Sequence, residues 1–360
     1  MSYAGPAEHP SPGSVLDILG LTGIVDPVEM DWSLVTPESR HSIWRLVLPE
    51  RDGNAPSYVV KSYHEQADEY FDHRFRREER VLDLLGRYAL GVAPRSFGGR
   101  IISGHSAFLI LEDLGDRPLH YHLDGADPAA RRELLGSGVD LLARFHRVAD
   151  EYSGIFRAVC RSSILDRVNA ATLLRRFDIA VGRLGGDGGR ALGRVRAAFR
   201  EEVIRPLMQG PGRVIHNSFS PLNICTVADG SQRIVDMETM SIGPAELDLA
   251  ELLIYPGGGG DLQDEIVARY VTEMGPQSAA PDSGRRLQLA AMTRALDYAG
   301  TLATRRQRFA EAGLEDLAGA QERRCAEYLL EAGEGARSAG VAGGLVEYID
   351  ELNAATGGSV

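Results

Sequence analysis

Apolar residues recur along this chain at two different periods, and the change from one to the other divides it. VLDILGLTGI, from Val15, has helical spacing and opens the folded part after a loose start. From Ser42 the period shortens. IWRLVLPE and SYVVKSY are β-rich runs separated by the turn-forming RDGNAP, which predicts a hairpin ending near Lys61. DEYFDHRFRREERVLDLLGRYA then places Phe71, Phe75, Val81, Leu82 and Leu85 at helical intervals. APRSFGGRIISGHSAFLILEDLG reads as two more strands around Ser103 and Gly104.

Beyond Gly115 the helical period dominates. ARRELLGSGVDLLARFHRVAD is amphipathic, and LLRRFDIAVGRL and RVRAAFREEVIRPLM follow, divided by GGDGGR. A polar stretch with short apolar runs occupies Val214–Leu253. PGGGGD then breaks the chain, and three or four helices are expected from about Asp264 to Leu352. No internal repeat interrupts this order. It predicts an α+β protein of two lobes: a tail over 1–13, a small β-rich N-lobe over 14–114, a larger helical C-lobe over 115–352 and a tail over 353–360.

Composition narrows the partners. The chain has 360 residues, 25% charged and 44% hydrophobic, with a formal net charge of -12, which disfavours nucleic acid and anionic membranes. Cys160, Cys225 and Cys325 lie far apart without a CxxC pair, so neither a disulfide framework nor a zinc site is expected. MSYAGPAEHPSPGS lacks the basic-then-apolar order of a secretory signal, and no apolar run approaches the roughly 20 residues of a membrane span. A cytoplasmic location is the expectation.

The chemistry concentrates where Lys61 closes the run VVK and where His216, Asn223, Asp236 and Asp248 follow in order. Phosphoryl transfer needs cations on the phosphates, ligands for Mg2+ and a group that orients the attacking hydroxyl. Lys61 supplies a cation, with Glu78 as its first carboxylate partner and Glu79 as its second. ICTVADGSQRIV reads as a hairpin with Asp229-Gly230 at its turn, which brings Asn223 and Asp236 within reach of one ion. His216 follows an apolar pair and is read as a packing residue beneath the loop, braced by Asp248.

These segments resemble the aminoglycoside phosphotransferase and choline kinase group, within the protein-kinase-like fold. The matching motifs are VVK, RREERVLDLL, FLILEDLG, LLARFH, the loop from His216 to Asn223, VDMET and LDLAELL, in order over residues 30 to 350. The resemblance implies ATP contact by Lys61, positioning by Glu78, adenine recognition by backbone around Glu112, Asp113 and Leu114, and Mg2+ at Asn223 and Asp236.

Two departures stand out. The group's loop reads His-Gly-Asp, whereas here it reads His216-Asn217-Ser218, so a hydroxyl stands where the catalytic acid belongs. TPESRHSIWRL, where the phosphate-covering turn falls, contains no glycine, though Ser39 and Ser42 offer hydroxyls. The first functional expectation is therefore an ATP-dependent phosphotransferase acting on a hydroxyl of a small molecule or peptide. Ser218 and His216 would lie in its catalytic loop, and Glu238 or Asp113 would replace the missing base. The alternative is a pseudokinase that binds nucleotide, or a peptide or protein partner, without phosphotransfer. A third expectation is transient phosphorylation of Ser218. GDGGRA at Gly186 lacks a preceding strand, GHSAF lacks the last glycine of a nucleophile elbow, and the glycines 257–260 read as a linker.

Overall fold

The computed structural model describes residues 10–36, 41–50, 55–65, 70–115, 117–161, 168–185, 190–210, 212–254, 262–275 and 282–356. Ser39, most of RDGNAP, residues 186–189 of GDGGRA, the glycines 257–260 and the last four residues lie outside them.

The chain forms two compact units. One comprises Met1–Gly125, Gly154–Ser163 and Leu222–Thr239, and the other Ala126–Ser153, Ile164–Pro221 and Met240–Val360. A single boundary near residue 114 was expected. Instead, the first unit takes back the hairpin that carries Asn223 and Asp236. The backbone explains this: Thr226 N–H donates to Arg117 C=O at 3.3 Å, and Ile234 N–H to Val92 C=O at 2.8 Å.

In the first unit, α1 (Pro12–Leu19) is capped by the Ser11 side chain and ended by Gly20 at φ 69°. The strands are β1 (Asp31–Thr36), β2 (Ser42–Val47), β3 (Ser57–His64), β4 (Ser96–Ser103) and β5 (Ser106–Glu112), with α2 (Phe71–Tyr88) between β3 and β4. They make one antiparallel sheet in the order β1-β2-β3-β5-β4. β1 was not anticipated. It is an outer strand, and Trp32 packs against a core of Val15, Leu16, Leu46, Val60, Phe108 and Ile110. α2 turns Phe71, Phe75, Val81 and Leu85 inward. α3 (Leu119–Leu123) and α5 (Ser153–Arg161) are additions to the predicted set.

In the second unit, α4 (Pro128–Glu151) starts at an Asp127 cap, and α6 (Ala170–Arg183) starts at a capping box of Asn169 and Thr172. α7 (Arg190–Ala198) runs through a π-helical turn, Phe199–Ile204, into α8 (Arg205–Leu207). β6 (Arg213–Ile215) pairs with β9 (Ser241–Gly243). Between them in sequence, β7 (Ile224–Thr226) and β8 (Gln232–Ile234) form the hairpin of the first unit. The remaining helices are α9 (Glu246–Leu253), α10 (Gln263–Met274), α11 (Ser283–Glu311), α12 (Glu315–Ser338) and α13 (Gly343–Ala355). α13 runs past residue 352, and Asn353 and Thr356 are buried. No helix among the described residues is long and apolar enough to cross a membrane.

Candidate functional site

Within the first unit, Lys61 stands in the middle of β3, opposite Ile43 on β2 and Leu109 on β5, with only 5% of its surface exposed. Its ammonium donates to Glu78 Oε2 at 2.7 Å and to Asp236 Oδ1, and lies 3.2 Å from Glu238 Oε2. The partner is Glu78, not Glu79. Burial alone would lower the Lys61 pKa, but Asp236, Glu238 and Glu78 hold it well above the ordinary lysine range. Burial pushes the Glu78 carboxyl up, against the pull of Lys61. Tyr63 Oη donates to Glu78 Oε2 at 2.5 Å, and Met237 N–H lies 3.3 Å from Glu78 Oε1. α2 therefore holds both the lysine and the turn after β8.

Asn223 and Asp236 flank the β7–β8 hairpin, whose Asp229-Gly230 turn places Gly230 at φ 82°. Val235 N–H donates to Asn223 C=O at 2.9 Å, so the two ends close on one another. Asp236 takes φ 64°, a left-handed conformation that aspartate tolerates better than most residues. Its side chain is 35% exposed. An amide oxygen and a partly open carboxylate form a hard-oxygen donor set that suits Mg2+. Oxygens of Glu78, Asp236 and Glu238 also approach within 4.8 Å of one another, with the Lys61 ammonium bonded to all three residues' carboxylates.

Glu238 and Asp113 fare differently from what a replacement base requires. Burial would raise the Glu238 carboxyl, but Lys61, His41 and Arg74 together hold it well below the carboxylate range. His41 Nε2 lies 2.6 Å and Arg74 Nη1 3.6 Å from it. Asp113 accepts from Arg45 Nε at 2.7 Å and Nη2 at 3.1 Å, and from Gly115 N–H at 2.9 Å. Against the opposing effect of burial, these donors lower its pKa. A carboxylate so held is a weak base. Leu114 is buried, while Glu112 N–H is committed to Arg95 C=O at 2.8 Å.

Within the second unit, His216 follows β6 and is fully buried, its ring edge-on to Phe219. His216 N–H and Asn217 N–H each donate to Asp248 at 2.7 Å. His146 Nε2 reaches the same carboxylate at 3.2 Å, and its Nδ1 meets Tyr270 Oη at 2.6 Å. Burial opposes ionisation of Asp248, yet these donors, His146 first, lower its pKa. Asn217 adopts φ 65°. Asparagine is the side-chain-bearing residue best able to replace glycine there. Arg294 Nη2 donates to Asn217 Oδ1 at 2.9 Å, and Arg294 Nε pairs with Glu251 at 2.9 Å. Burial pushes the Glu251 carboxyl up to about 7 despite that pair. Ser218 is half-buried.

His41, Arg74, Arg294 and Glu251 escaped the sequence reading, and LLARFH gave no role to His146. Nothing in local spacing marks them, because their partners are distant in the chain.

Solved structures of kinase-like enzymes share this fold. A GDP complex of an aminoglycoside 2'-phosphotransferase IIIa variant aligns at TM-score 0.58 with 13% identity, covering 87% of this chain and 97% of its own. The microcompartment-associated aminopropanol kinase aligns at 0.54 with 14% identity, covering 91% and 99%. The choline kinase LicA from Streptococcus pneumoniae aligns at 0.53 with 12% identity, covering 85% and 98%. No curated protein matches the sequence. Residues 43–287, more than half of the chain, match the APH model, described as the phosphotransferase enzyme family. The chain belongs to that family.

Proposed function

We propose that this protein binds a nucleoside triphosphate with Mg2+ and transfers its terminal phosphoryl group to a hydroxyl of a small molecule or peptide. The observation that carries this reading is the Lys61 ammonium held among Glu78, Asp236 and Glu238. A buried lysine with a fixed carboxylate partner, beside an Asp at a strand end, is what a phosphate-binding centre requires. Lys61 would meet the phosphates, and Asn223 and Asp236 would hold the metal. Mg2+ would neutralise the charge on the phosphate oxygens. Similar structures were solved with GDP and kanamycin and, for LicA, with AMP. In the reaction the acceptor oxygen bonds to phosphorus, the bond to the nucleoside diphosphate breaks, and the hydroxyl proton leaves with solvent.

Mg·ATP should raise the melting temperature by several degrees, since a ligand at a hundred times its Kd adds about 2.7 kcal/mol. Differential scanning fluorimetry checks this, with Mg·GTP as a second arm. No shift at millimolar concentrations of either nucleotide removes the reading.

The loop favours a second reading, a pseudokinase. Ser218 lacks a carboxylate, and Glu238 and Asp113 are held by cations. The two readings separate on Ser218→Asp. General-base help is worth about 10²–10⁴-fold where a base alone is missing. We expect less than about tenfold gain, because Asn217 and Arg294 have reshaped the loop around serine. ADP formation from Mg·ATP, with water and then with choline or kanamycin as acceptor, measures it. A gain of several hundredfold defeats the expectation. Loss of activity in Ser218→Ala alone assigns the hydroxyl a direct role.

A further inference from the structure

Glycine-rich turns bind phosphate through backbone N–H groups that no side chain obstructs. Residues Thr36 to Leu46 contain no glycine, so side chains flank every backbone N–H there and can themselves supply donors. One side chain is already in position. His41 immediately precedes β2 and is 5% exposed. Its Nε2 lies 2.6 Å from Glu238 Oε2, the carboxylate that also faces Lys61 Nζ at 3.2 Å. Its ring packs against the Tyr63 ring at 4.5 Å, and Tyr63 is bonded to Glu78. His41 is thus tied to two of the three carboxylates that hold Lys61, to Glu238 directly and to Glu78 through Tyr63.

Its other nitrogen is the informative one. Nδ1 of His41 is buried and has no hydrogen-bond partner among the described residues, and Nε2, though 2.6 Å from Glu238 Oε2, forms no hydrogen bond of good geometry either. A buried polar atom without a partner costs free energy comparable to a lost hydrogen bond, so such atoms are rare in proteins that have no use for them. The surroundings contain Lys61, Arg74 and Arg77 against Glu78, Asp236 and Glu238. His41 Nε2 and Lys61 Nζ share Glu238 Oε2, so phosphate oxygens arriving at Lys61 bring hydrogen-bond acceptors to this ring.

We propose that His41 is a phosphate-contacting residue: its Nδ1 donates to a phosphate oxygen of the bound nucleoside triphosphate, in place of the backbone donors of a glycine-rich turn. This rests on the nucleotide reading above and adds a residue to it that the family's motifs do not contain.

Calorimetry on the full chain separates the two claims, using Mg·ATP and AMP as probes against wild type, His41→Ala and His41→Phe. The phenylalanine variant keeps a ring against Tyr63, so it remains usable if the alanine variant folds poorly. A hydrogen bond to a charged acceptor such as phosphate is worth roughly tenfold or more in affinity. Mg·ATP binding should therefore weaken by about tenfold in both variants, while AMP binding stays at the wild-type value. Equal losses for AMP and Mg·ATP overturn the proposal and leave His41 a packing residue, as does unchanged Mg·ATP affinity. A wild-type protein that binds neither nucleotide sinks the nucleotide reading itself, and a wild type that binds both with His41 silent sinks only this inference.

Discussion

Asp236→Asn should weaken Mg·ATP binding by roughly a hundredfold or more while the protein stays folded. A metal on phosphate oxygens supplies several kcal/mol of charge stabilisation, and each 1.4 kcal/mol is a factor of ten. Asparagine is the right probe because Asp236 sits at φ 64°. Alanine there would add left-handed backbone strain, whereas asparagine adopts that region readily. The change removes charge and leaves shape. Lys61 keeps Glu78 at 2.7 Å and Glu238 at 3.2 Å, so the buried ammonium is not abandoned. Calorimetry with Mg·ATP reads the affinity, and a thermal melt reads the fold. Equal affinity in the folded variant would move the metal away from Asp236.

Asp248→Asn should cost stability on a larger scale, about 3–5 kcal/mol, the usual consequence of removing one member of a buried charged network. The carboxylate accepts two backbone N–H groups at 2.7 Å and the His146 ring at 3.2 Å, with no exposure to water. Asparagine keeps one acceptor and presents an amide N–H to donors. The pH dependence has a definite sign. The folded pKa of Asp248 is below its unfolded value of about 3.9, so the unfolded chain binds its proton first as pH falls. The stabilisation is complete above that unfolded pKa and is lost as pH falls through the lower folded pKa. Urea melts at pH 7 and at successively lower pH below about 4 should show the gap between wild type and variant closing. A gap that is constant with pH would mean that packing, not the ionised carboxylate, holds the loop.

Much of the fold was readable because its signals are local. The alternating runs around Val59 and Leu109 gave the central strands, and Phe71 to Leu85 gave α2. The Asp229-Gly230 turn gave the hairpin whose ends are Asn223 and Asp236. β1 was missed because DWSLVT is a short run on an outer strand, stabilised mainly by packing of Trp32 onto a core assembled from other segments. The split of the chain into its two units was missed because hydrogen bonds from Thr226 and Ile234 to Arg117 and Val92 cannot be read from the hairpin alone. Lys61 and Glu78 were legible as a lysine and the next helix. Arg294 and Asn217, 77 residues apart, and His146 and Asp248, 102 apart, are not, because only the folded backbone decides which buried donor meets which acceptor.

The guanidinium of Arg294 ties this loop to the side chain at position 217. Changing Asn217 to glycine would suit the left-handed backbone well, yet it would withdraw the side-chain oxygen that Arg294 holds at 2.9 Å in a buried setting. A His-Gly-Asp loop built by two substitutions therefore arrives in a protein whose eleventh helix bonds to asparagine at that place. The same two changes would have different effects in a background with another residue at 294, so the order in which positions 217, 218 and 294 are changed matters.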